Sequence, residues 1–154
     1  AMLLMAGAAP GITLLDPFCG TGTITQAMAK RAKAAIGIEL VPDAVEAAKE
    51  NAQRNGLDNC TFLAGDVFEV LGSVDTKPDV IVMDPPRMGV SEKALDRIID
   101  YGVDEMIYIS CNPKSLAKNL LQLQNRGYQA VYLRPYDNFP FTKHIEAIVH
   151  LIKR

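Results

Sequence analysis

Short, almost wholly apolar runs recur along the chain, separated by stretches with helical patterning. The runs ITLLD (12–16), AAIGIE (34–39), CTFLAGD (60–66), DVIVMD (79–84) and EMIYIS (105–110) each read as a buried strand, with Val and Ile favouring strand over helix. Between them, residues 23–31 read as a helix after a glycine turn. Pro42, at a first helical turn, opens PDAVEAAKENAQRNG, and Gly56 ends it. Ser91 is placed to cap a helix over 91–102, and a further helix over 115–126 stops at Gly127. YQAVYLRPY and HIEAIVHLIKR read as two last strands with no room for a helix between them.

Strands separated by helices imply an α/β fold with a mostly parallel sheet covered on both faces. The linker DNFPFTK is too short for a right-handed crossover, so the last two strands should pair antiparallel. At 154 residues, with no repeat, low-complexity tract or internal boundary, one domain over 1–154 is expected. Composition changes the picture little: 49% apolar and 22% charged residues describe an ordinary globular domain. No apolar run approaches bilayer length, so no membrane association is expected. The opening AMLLMAGAAPG lacks a basic flank and reads as the tail of a helix from a longer protein. Cys19, Cys60 and Cys111 are odd in number and have no metal-like spacing. That argues against a disulfide framework or a metal site and fits a reducing cytoplasm.

Candidate chemistry gathers at the carboxyl ends of the strands. The first runs into DPFCGTGT (16–23), where Gly20 and Gly22 allow a tight turn and close approach of a ligand. Glu39 ends the second strand, where a carboxylate would accept hydrogen bonds from ribose hydroxyls. Asp66, in GD after the third strand, would lie near an adenine edge, or cap a helix over 67–71. The pattern lacks the third glycine of the dinucleotide fingerprint, and the set fits S-adenosylmethionine better than NAD.

The fourth strand ends in DPPRMG (84–89), where two prolines hold the backbone extended after Asp84. Amino-directed adenine methyltransferases usually carry an aromatic after such a run, to stack on a flipped base; here Arg87 stands there. Asp84 could instead cap the loop, with Arg87 merely pairing with it. Cys111, in SCNP, ends the fifth strand, and Glu146 follows 35 residues later in HIE. A free cysteine is often core filling. Beside an acid and a cofactor crevice it suits another role. Carbon 5 of uracil is a poor nucleophile, and a thiolate adding to carbon 6 turns it into an enolate-like carbon that can attack a sulfonium methyl. A base must then remove the carbon 5 proton. Cys111 suits the first task, Glu146 the second, Asp84 the pyrimidine edge and Arg87 the developing charge.

LLDPFCGTGT, IGIE, AGD, VMDPPRMG, YISCNPKSLAKNL and DNFPFTKHIEAIV together resemble the C-terminal catalytic domain of the bacterial RNA 5-methyluridine methyltransferases. That resemblance implies a class I S-adenosylmethionine-dependent methyltransferase: a doubly wound seven-stranded sheet, order 3-2-1-4-5-7-6, with strand 7 antiparallel. It implies a cofactor site of Asp16, Phe18, Thr23, Glu39, Asp66 and Asp84, with the backbone of Cys19, Gly20 and Gly22 closing around the methionine. It implies Cys111 as nucleophile, Glu146 as base, and tRNA or 23S rRNA as partner, recognised mainly by N-terminal domains that this chain lacks. Thr23 and Phe141 depart from the family's usual asparagine and histidine. DPPR stands where related 5-methylcytosine enzymes carry a second cysteine, which favours uracil.

Net charge is −2, but residues 111–154 hold seven basic residues (Lys114, Lys118, Arg126, Arg134, Lys143, Lys153, Arg154) against Asp137 and Glu146. Such a face could receive phosphates or simply be solvated. Two rivals stand beside the leading reading: a noncovalent amino-directed or small-molecule methyltransferase, and a noncatalytic RNA-binding module. Oligomeric state is open.

Overall fold

A computed structural model describes residues 10–74, 76–138, 140–142 and 144–154, without the side chain of Phe68. The expected helix tail over 1–9, Phe139 of the FP pair and Lys143 of the basic segment lie outside these. Seven strands form one sheet in the order β3-β2-β1-β4-β5-β7-β6. They are β1 (Thr13–Asp16), β2 (Ala34–Glu39), β3 (Cys60–Ala64), β4 (Val80–Met83), β5 (Glu105–Ser110), β6 (Tyr128–Tyr136) and β7 (Glu146–Lys153). β7 runs antiparallel to both β5 and β6, as expected from the short linker. Among the described residues no helix is long and apolar enough to cross a membrane.

The chain divides into two compact units, 1–82 and 83–154. In the first, β1 lies parallel between β2 and β4, with Leu15 opposite both Ile36 and Ile81. All four β1 residues are buried, which is why its run is uninterrupted by exposed polar positions. Helices α1 (Thr23–Ala29), α2 (Pro42–Arg54) and the short α3 (Val67–Val70) follow β1, β2 and β3. Val45, Ala48 and Ala52 of α2, at helical spacing, pack with Phe62 and Cys19. Gly37 of β2 is required by this packing: a Cβ there would stand 2.7 Å from the Phe62 ring and 2.8 Å from the Cys19 sulfur.

In the second unit, α4 (Glu92–Asp100) precedes β5 and α5 (Pro113–Asn125) follows it. Ser91 caps α4 as expected, its hydroxyl accepting from the Ala94 N–H at 3.3 Å. α5 begins two residues before the expected Ser115, because Asn112 is its cap and Pro113 its first residue. The Asn112 side chain accepts from the Lys114 N–H, and proline at a first helical position loses no hydrogen bond. β3 stops at Ala64, short of Gly65, whose φ of 141° leaves the strand conformation.

Candidate active site

The cofactor end is built by the first unit. Asp16 is 3% exposed and shapes the glycine turn from beneath: one carboxylate oxygen accepts from the Thr25 hydroxyl at 2.7 Å, the other from the Phe18 N–H at 3.2 Å. Glu39 holds the same turn from the side. Its two oxygens accept from the Gly20 N–H at 3.1 Å and the Val41 N–H at 3.0 Å. Each oxygen retains a further lone pair for a ribose hydroxyl. Gly20 has φ 52°, and a Cβ there would meet nothing within 4 Å, so the turn presents bare backbone to open space. Gly22 differs: its φ is 81° and a Cβ would stand 2.9 Å from Phe62 and Gln26, so it serves packing. An acceptor-only carboxylate beside an open glycine turn fits an adenosine-containing cofactor. Phe18 is half-buried, while Thr23 and Asp66 are exposed. The Asp66 carbonyl accepts from the Glu69 and Val70 N–H groups and so starts α3 through the backbone.

The chemical end lies in the second unit. Cys111 is exposed, one residue past β5 and one before the α5 cap. Burial pushes the Cys19 thiol up to about 12, helped by the charges of Asp16 and then Glu39. Cys60 is likewise raised, by burial and then Asp58. Cys111 should therefore alkylate first with iodoacetamide at pH 8, Cys60 more slowly. A thiol at about 12 is only about 10⁻⁴ ionised there, so Cys19 should react only after unfolding. Peptide mass mapping over a time course reads the order; Cys19 reacting before Cys111 would refute it.

Glu146 opens β7. Ser110, the last residue of β5, pairs with Ala147, so Cys111 and Glu146 each adjoin that pair along the chain. One Glu146 oxygen accepts from the Asn138 amide at 2.6 Å. Asp84 keeps an exposed edge, but the packed strand end around it raises its carboxyl above the usual aspartate value, and the Glu146 charge raises it further. Arg87 points its guanidinium at His144 Nδ1, at 3.2 Å, so the alternative in which it pairs with Asp84 is not the contact it makes.

The loop carrying Asp84 and Arg87 is tied to α5. The Arg87 carbonyl accepts from the Asn112 amide at 3.0 Å and the Ser115 hydroxyl at 3.1 Å. Buried Asn119 accepts from the Val90 N–H and the Tyr108 hydroxyl and donates to the Val90 carbonyl. Gly89 must be glycine: its φ is 77°, and a Cβ would lie 2.6 Å from the Asn119 oxygen. Sequence reasoning missed Asn119, Asn138 and His144 as site-building residues. The polar spacing Asn112, Ser115, Asn119 follows one helix face and was the available signal for the first. Asn138 and His144 meet their partners only through the folded turn.

A family profile described as a methyltransferase domain matches residues 8–137. An RNA methyltransferase of Clostridium tetani, described as uncharacterized, is 48% identical over 92% of this chain and 31% of its own length. One from Caldanaerobacter subterraneus subsp. tengcongensis is 47% identical over 93% of this chain and 32% of its own. The chain thus spans about a third of the length of these curated relatives. Among solved structures, the Pyrococcus abyssi tRNA (uracil-54, C5)-methyltransferase in complex with S-adenosyl-L-homocysteine superposes with TM-score 0.83 at 28% identity, covering 98% of this chain and 37% of that one. The profile match, together with the sheet order and the strand-end site, means that this chain belongs to the methyltransferase-domain family, with S-adenosylmethionine as its cofactor.

Proposed function

We propose that this domain methylates carbon 5 of a uridine in RNA, tRNA or 23S rRNA, through a covalent bond between Cys111 and carbon 6. The observation that carries the reading is the exposed thiol of Cys111, directly after the Ser110–Ala147 pair that Glu146 precedes, while Cys19 is buried and Cys60 half-buried. The Cys111 thiolate adds to carbon 6, and the electron pair of the 5,6 double bond moves toward carbon 5 and the carbon 4 oxygen. S-adenosylmethionine, when bound, supplies the electrophilic methyl group. Asp84 holds the pyrimidine edge, and Arg87 favours the enolate-like charge. Glu146 then removes the proton from carbon 5; its electron pair restores the double bond and expels the thiolate. Glu39 and the Gly20 turn, with Asp16 beneath them, hold the cofactor, joined by Phe18, Thr23 and Asp66.

The likeness to a uracil-C5 enzyme of tRNA at 28% identity, and to relatives named as RNA methyltransferases, supports the target. Incubating the complete gene product with labelled S-adenosylmethionine and RNA, then digesting to nucleosides, should place the label in 5-methyluridine. Label in a methylated exocyclic amine, or in small molecules alone, would favour the noncovalent rival. The cofactor assignment has its own test. Glu39→Ala should weaken calorimetric binding of S-adenosylhomocysteine by about tenfold or more, the scale of hydrogen bonds to a charged acceptor. Equal affinity in the variant, or preferential binding of NAD, would refute the assignment.

A further inference from the structure

β6 is an edge strand, and every residue from Gln129 to Pro135 is exposed. Alternation along it puts Tyr132, Arg134 and Tyr136 on one side. The register sets Tyr136 directly opposite Glu146, so this row starts at the candidate base and runs outward for about 13 Å, at the usual rise of a strand. The Arg134 guanidinium lies over the Tyr136 ring, 5.3 Å from its centroid. Among the described residues no carboxylate forms an ion pair with Arg134. Tyr132 is 40% exposed. The Tyr136 hydroxyl is buried and has no hydrogen-bond partner among the described residues.

We propose that Tyr132, Arg134 and Tyr136 form a platform for the unpaired nucleotides flanking the target uridine. The inference rests on RNA being the substrate. An uncompensated guanidinium suits a phosphate, an exposed tyrosine ring suits the face of any base, and the Tyr136 ring beneath the guanidinium holds it in place. Alternating aromatic and basic side chains on an open strand face are what single-stranded RNA needs, because its splayed bases stack while its backbone stays charged. The platform reads no sequence. It would hold the strand so that the target base enters beside Cys111 and Glu146.

The test uses the complete gene product and a short single-stranded RNA containing the target uridine, with filter binding over a salt series. Arg134→Ala should lower the slope of log affinity against log salt by about one, the signature of one lost phosphate contact. Tyr132→Ala should weaken binding about tenfold at every salt concentration, with Tyr132→Phe close to wild type. An abasic nucleotide in place of the stacked base should cancel the Tyr132→Ala effect. Wild-type affinity and slope in all variants would overturn the platform, as would variants that alter only the mass seen by light scattering, which would mark β6 as a surface for a second copy. Nucleoside analysis in parallel separates the two readings. RNA binding that responds as described without 5-methyluridine sinks the uracil chemistry alone, while 5-methyluridine from variants that bind like wild type sinks the platform alone.

Discussion

Replacing Cys111 by alanine in the complete gene product should remove both 5-methyluridine formation and any covalent RNA adduct. The expected loss is more than about 10⁴-fold, on the scale seen when an enzyme loses its nucleophile. The reason is electronic. Carbon 5 of a neutral uracil ring does not attack a methyl group at a useful rate, and no other exposed thiol can raise its electron density, since Cys19 is buried and Cys60 is half-buried. The fold should not suffer: an exposed side chain between a strand end and a helix cap makes little contribution to packing, so stability should stay within about 0.5 kcal/mol. RNA containing 5-fluorouracil gives the sharpest readout. Fluorine on carbon 5 cannot leave as a proton does, so wild type should form an adduct that survives denaturing gels, and the variant should form none. Methylation of uracil by Cys111→Ala would end the covalent scheme and favour a noncovalent methyltransferase.

Much of this was legible in the sequence because burial on both faces leaves a simple mark. β2, β5 and β6 have the residues expected of them, since each run is bounded by a breaker or by a capped helix. The antiparallel return of β7 followed from linker length alone. The glycine turn and Glu39 were legible as a pair, and the structure joins them through the Gly20 N–H. What was not legible depends on contacts between segments distant in the chain. Arg87 was readable as a cation near Asp84, but its partner is His144, 57 residues on. Asp16 was readable as the first acid of the turn, but its burial under Thr25 makes it a support for the loop. The start of α5 was set by a side-chain cap on Asn112, a competing signal to the more familiar serine three residues later.

Glu146→Gln should separate the two halves of the reaction. Cys111 still adds and methyl still transfers, but an amide cannot take the carbon 5 proton, so the thiolate cannot be expelled. A methylated protein–RNA complex should accumulate on natural uracil RNA and appear on denaturing gels as labelled protein of increased mass that turns over slowly, with steady-state turnover down about 10²–10⁴-fold, the usual share of a general base. Glutamine keeps the hydrogen-bonding size that Asn138 meets at 2.6 Å, so β7 should start in the same place. The variant also changes Asp84. Its folded-state value lies above the ordinary aspartate value, so its contribution to stability is full below that value and is lost as pH rises through the raised one. Burial is the larger cause and the Glu146 charge the second, so Glu146→Gln should reduce this loss without abolishing it, as urea unfolding at a series of pH values across that window would read. Release of 5-methyluridine at the wild-type rate by Glu146→Gln would show that Glu146 is not the base and that its place at the start of β7 serves the strand alone.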